Sequence, residues 1–226
     1  MRMLQRGHGG VSVHGELRHQ CWGFMLGSLF FTVGAAPGFA KPAGASMANA
    51  LFFTGALFFT AAACIQLMLS EDARVRHLSV PGVRAEWLAA AAQLVGALLF
   101  NVSTSAALRV HHPVADERAL VWTPDAAGSV AFLVSGALVL VVARDAGTIR
   151  AMRTRACYAV WLNFIGCLAF AASAVGAFVT ASDVPEDASV ATMGTFAGAL
   201  CFFASAWLSL PGREARPIGE GHTVRR

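Results

Sequence analysis

The sequence predicts an all-α, polytopic integral membrane protein with six transmembrane helices, arranged as three parallel helical-hairpin repeats. Three observations carry this reading. The 226 residues are 56% hydrophobic and only 13% charged, with a mean hydropathy of +0.59; a soluble domain carries roughly twice that charged fraction. Apolar runs occur at about 21–39, 48–69, 85–108, 126–143, 157–181 and 188–210, each near the roughly 20 residues that a helix needs to cross a bilayer. A short motif also recurs inside them: Gly-Ala-Leu stands at Gly55, Gly96, Gly136 and Gly198, with related versions at Gly27-Ser-Leu-Phe-Phe31 and Gly166-Cys-Leu-Ala-Phe170.

Taken in order, the chain opens on a polar, glycine-containing stretch over 1–16, expected to be a mobile tail. The first apolar run follows basic residues and ends near Gly38-Phe39-Ala40, a passable signal-peptide cleavage site. It matches the first helix of the other hairpins, so retention as a membrane helix is expected. Helix is the expected form throughout, because lipid offers no partner to unpaired backbone groups. The breaks carry turn chemistry at Pro37-Gly38, Pro81-Gly82, His112-Pro113, Thr123-Pro124, Pro185 and Pro211-Gly212.

Charge placement orients the chain. The N-terminal stretch, the second and fourth loops and the C-terminal stretch together hold fourteen arginines, Arg2 and Arg226 among them. The opposite side holds three basic residues, Lys41, Arg109 and Arg118. By the positive-inside rule both termini should be cytoplasmic, in the cell (inner or plasma) membrane. The net charge of +4 is thereby explained by topology, and no nucleic-acid partner is expected. The expected partners are the lipid bilayer and, in addition, a second copy of the chain or another membrane protein.

Aligning the odd helices on Gly27, Gly96 and Gly166 gives spacings of 69 and 70 residues, with Phe31, Phe100 and Phe170 each four positions on. The even helices are aligned on Gly55, Gly136 and Gly198. Hairpins are expected over 17–70, 85–143 and 157–210, followed by a polar tail over 211–226. Each enters from the cytoplasmic side, so they are parallel, unlike the inverted repeats of many transporters. Within lipid, helices associate through close packing at small residues. Gly23-x-x-x-Gly27 and Gly194-x-x-x-Gly198 are full motifs of that kind, so Gly23, Gly27, Gly55, Gly96, Gly136, Gly166, Gly194 and Gly198 are expected at helix contacts.

The first hairpin resembles the YrhK-like domain, a two-helix membrane module with a Gly-Ser-Leu-Phe-Phe core and a second helix of the form Phe-x-x-Gly-Ser-x-x-Phe. The matching residues are Gly27 to Phe31 and Phe52 to Phe58, with Ala56 in place of the expected Ser. The third hairpin fits more loosely through Phe170 and Phe196 to Phe202, and the middle one least. The resemblance implies a fold and brings no reaction, ligand or cofactor.

Chemistry is sparse. Every ionisable residue is placed in a tail, a loop or a helix end, which argues against a proton relay or a carboxylate-coupled pump. The intramembrane polar candidates are Gln93, Asn101 and Asn163. They suit either hydrogen bonding between helices or a narrow polar path. His111-His112 with Asp116 and Glu117 is the one metal-like cluster, and its spacing matches no strong site. The five cysteines form no C-x-x-C pair and read as small packing residues. No nucleotide-binding or hydrolase motif is present. A non-enzymatic structural or accessory component without cofactor is expected; the alternative is a channel or carrier for a small neutral solute.

Overall fold

The computed structural model describes residues 6–211 apart from 77–80, 110–113, 152, 181 and 183. Their order is α1 (Arg6–Gly34), α2 (Ala40–Ala43), α3 (Ala45–Arg76), α4 (Pro81–Ala107), α5 (Val114–Asp116), a π-helix (Glu117–Trp122), α6 (Thr123–Asp145), α7 (Arg155–Gly176) and α8 (Ala188–Ser209). The described residues hold no strand, only one isolated bridge between Val179 and Pro185. Five helical stretches are long and apolar enough to cross a membrane: Ala45–Glu71, Arg84–Ala107, Val114–Asp145, Arg155–Gly176 and Ala188–Ser209. This all-α character and these apolar helices point to a membrane protein. Helix α1 lies beside them and begins at Arg6, so helix takes in most of the segment expected to be a tail.

Each long helix packs on two neighbours, in the circular order α1, α3, α4, α6, α7, α8 and back to α1. The six helices thus close a ring. Its outer surface exposes large apolar side chains such as Leu29, Leu57, Val95, Val130 and Leu168. Its interior is built from small residues and phenylalanines. Trp22, Trp161 and Trp207 also lie on the outer surface.

The sockets of this interior are glycines. A Cβ built on Gly55 would stand 2.7 Å from the ring of Phe31, and one on Gly27 3.0 Å from Phe59. The same reciprocity holds between Gly96 and Phe132 at 2.6 Å, Gly128 and Phe100 at 2.7 Å, Gly166 and Phe202 at 2.8 Å, and Gly198 and Phe170 at 2.6 Å. Each glycine therefore leaves the space that the partner helix fills with a phenylalanine. In all six helices that phenylalanine stands four residues after the helix's own glycine, one turn along the same face. The residue after each glycine is small and almost wholly buried: Ser28, Ala56, Ala97, Ser129, Cys167 and Ala199.

This geometry corrects the alignment of the even helices. The counterpart of Gly55 and Gly198 is Gly128, which faces Gly96 across the hairpin. Gly136 instead meets α7, where its added Cβ would lie 3.0 Å from Cys167 Sγ and 3.2 Å from Phe164. It too lies at a contact between helices, but a different one. The other glycines are also close-packed, Gly23 against Ala62 at 2.9 Å and Gly194 against the Ala169 carbonyl at 2.8 Å.

A second departure concerns Thr123-Pro124, expected to end a loop. The helix runs through it. Thr123 gives its N–H to the Arg118 carbonyl in π register and its hydroxyl to the same oxygen at 2.7 Å. Proline has no N–H to offer, and the wider π turn places that missing donor where the ladder changes register. The apolar span thus extends back to Val114.

Substituting Gly55→Leu or Gly96→Leu should destabilise the protein by at least the 1–3 kcal/mol typical of overpacked cores, read as a lower midpoint of thermal unfolding in detergent. Gly15→Ala, where an added Cβ meets nothing within 4 Å, should be neutral or raise stability by up to about 1 kcal/mol through helix propensity.

Candidate functional site

The six phenylalanines meet on the ring's axis. Eight of their centroid pairs lie between 5.1 and 6.1 Å, and none is more than 4% exposed. Phe31, Phe100 and Phe170, from the odd-numbered position in each hairpin, form a triangle of edge-to-face contacts at 70–83°. Phe59, Phe132 and Phe202 form a layer beneath it, with Phe202 touching both others. Such pairs contribute about 0.5–1.5 kcal/mol each beyond area burial. Together they block the axis at mid-depth.

A cavity lies on each side of this block. The larger, of about 530 Å³, is floored by Phe31, Phe100 and Phe170 and opens at the end of the ring opposite the arginine-rich loops. Its volume is in the range of small-molecule sites. Its wall mixes Phe52 and Trp122 with Asn49, Ser103, Thr104, Ser173 and Thr195, and with two carboxylates, Glu117 and Asp125. Most of the polar wall is already engaged. Asn49 Nδ2 donates to the Ala107 carbonyl at 2.7 Å and Thr104 Oγ1 to the Phe100 carbonyl at 2.7 Å. Ser173 Oγ donates to the Ala191 carbonyl at 2.6 Å and lies 2.7 Å from Thr195 Oγ1. The Trp122 indole N–H donates to the Ala174 carbonyl at 2.8 Å, which ties the π-helix to α7.

The placement of Asp125, twelfth in a continuous helical stretch, corrects the view that every ionisable group sits at a tail, loop or helix end; Glu117, in the first turn of that stretch, does sit at an end. Both fall within the apolar span Val114–Asp145, because the helix continues through Pro124. Among the described residues neither forms an ion pair or a side-chain hydrogen bond.

The smaller cavity, of about 170 Å³, lies on the arginine-rich side and is floored by Phe59 and Phe202. Four amides line it: Gln20, Gln66, Gln93 and Asn163. Gln93 and Asn163 are therefore brought together. Gln20 falls just before the first apolar run and Gln66 near the end of the second, so neither has the mid-run position that marks Gln93 and Asn163 in the sequence. Asn101 is elsewhere. Its amide donates to Thr60 Oγ1, and more weakly to the Ala56 carbonyl at 3.4 Å, across the contact between α3 and α4. It joins helices and lines neither cavity.

Polar bonds elsewhere also serve packing. Ser135 Oγ donates to the Ala89 carbonyl and Ser205 Oγ to the Ala159 carbonyl, both at 2.8 Å. These serines stand seven residues after Gly128 and Gly198, so the second and third hairpins share the bond. His111 and His112 lie outside the described residues, and no group of three possible metal ligands occurs among those described. The lining of the larger cavity offers acids, hydroxyls and an amide.

No family model, curated protein or solved structure matches the chain.

Asn101→Leu should lower stability by about 1 kcal/mol, the usual worth of an interhelical hydrogen bond in a membrane. Asn163→Leu, at a cavity wall, should change the unfolding midpoint much less. Thermal unfolding of the two variants side by side in one detergent checks the contrast.

Proposed function

We propose that the chain is a six-span membrane protein of three tandem YrhK-like hairpins, with both termini in the cytoplasm, and that it acts as a non-enzymatic structural or accessory component. The observation that carries this reading is the block of six phenylalanines, which leaves no continuous polar route along the axis. The recurrence of glycine and phenylalanine four residues apart in each helix supports the threefold organisation. The larger share of polar residues in α1 does not count against a sixth span, since this helix packs against both α3 and α8. The placement of fourteen arginines supports the orientation.

A second reading is favoured by one observation. Gln20, Gln66, Gln93 and Asn163 share a cavity, as a carrier for a small neutral solute would require, and rearrangement of the aromatic block would then open the route.

In a background with the native cysteines replaced by alanine, Ser182→Cys should react with a membrane-impermeant maleimide on intact cells, and Thr154→Cys only after permeabilisation. The reverse pattern would reject the orientation. Purified protein in proteoliposomes should pass glycerol and urea no faster than empty vesicles, and crosslinking in native membranes should capture a second copy or another membrane protein. A solute flux that Gln93→Leu or Asn163→Leu abolishes would select the carrier, and a chain alone at all concentrations would reject the accessory role.

A further inference from the structure

We infer that the 530 Å³ chamber is a binding site for a small amphipathic organic cation, an amine or quaternary ammonium carrying an apolar group. Two carboxylates, Glu117 and Asp125, stand in its wall without an ion pair or side-chain hydrogen bond among the described residues. An acid left unpaired in a recess between membrane helices is costly, and such residues mark ligand or ion routes. Among the described residues no cation of the protein pairs with them. Arg118, the neighbour of Glu117, is engaged by other groups: its Nε donates to the Val179 carbonyl at 2.6 Å and its guanidinium lies 4.9 Å from the Phe178 ring centre. Lys41 stands at the mouth, exposed to solvent, and one ammonium does not balance two acids.

The rest of the chamber suits an organic cation better than a metal ion. Calcium takes six to eight oxygen ligands, whereas most of the hydroxyls and the amide of this wall are committed to backbone carbonyls and two acids stand among aromatic side chains. Phe31, Phe100 and Phe170 close the floor and Trp122 stands in the same wall as the acids. The faces of such rings attract cations and their bulk accepts apolar groups. The site is a property of the ring's interior and stands whichever compartment that end faces and whether or not the chain carries a solute.

The test is calorimetric titration of the full chain in maltoside micelles, which contain no ammonium group, with benzyltriethylammonium and with benzyl alcohol as the neutral comparison. The cation should bind saturably and at least tenfold more tightly than the alcohol. Asp125→Asn should weaken the cation at least tenfold and leave the alcohol unchanged, with a smaller loss for Glu117→Gln. Equal affinity for the two probes, no saturable binding of the cation to folded protein, or cation binding untouched by both variants would overturn the site. A measurement on the unaltered chain guards against misfolded variants: a hydrophobic carbodiimide should modify Asp125, and saturating cation should protect it. Modification that proceeds at the same rate with the cation present would count against the site. Adding phosphatidylcholine separates two sources of the same chemistry, since competition identifies a lipid headgroup and its absence a free solute.

Discussion

A glycine on one helix makes room for a phenylalanine on its partner, and the partner returns the arrangement. This exchange underlies the rest of the structure. Inside a bilayer, apolar side chains gain nothing by leaving lipid for one another, so helices are held by the closeness of their contact. Gly27 and Gly55 supply that closeness: a Cβ on either would stand 2.9 Å from the other's carbonyl oxygen. The approach has a second effect. It turns the residue one helical turn on toward the bundle's centre, and that residue is a phenylalanine each time. Ring closure, the block on the axis and the two chambers on either side all follow from one local rule applied in three helix pairs.

Much of this was legible from the residues. Phe31, Phe100 and Phe170 are visible four positions after their glycines, and the small-residue ridges announce close helix contacts. The tripeptide Gly-Ala-Leu misled at one place. Its alanine and leucine do not make the contact; glycine and phenylalanine do. At Gly136 the tripeptide is present and the phenylalanine is missing, while at Gly128 the sequence reads Gly-Ser-Val-Ala-Phe and satisfies the geometry. The physical constraint acts on the pair that touches, and the similarity of the letters between them carries no weight.

The polar residues were harder to read, for a reason that lies in helix geometry. Gln93 and Asn101 are eight residues apart on α4, a little over two turns, yet a modest rotation separates a cavity wall from a helix seam. Residue type does not reveal that rotation. Asp125 was hidden by a different cause, the Thr-Pro pair beside it. Proline in a chain usually means a break, and a π turn that absorbs its missing donor has no clear sequence signature. An acid assigned to a loop is unremarkable; the same acid inside a helix and against a chamber is chemistry.

The contact of α1 with α8 has a consequence for how the covalent chain relates to the assembly. Gln20 of α1 and Ser209 at the end of α8 line the same cavity, on the side of the ring where α3 ends and α4 begins. No hairpin therefore occupies a unique starting position, and backbone continuity from one pair to the next is a matter of supply more than of shape. A gene reordered to begin at α4, with the present ends joined by a polar linker, specifies the same circle of neighbours. So would hairpins made as separate polypeptides, whose mutual recognition the sockets and rings already contain.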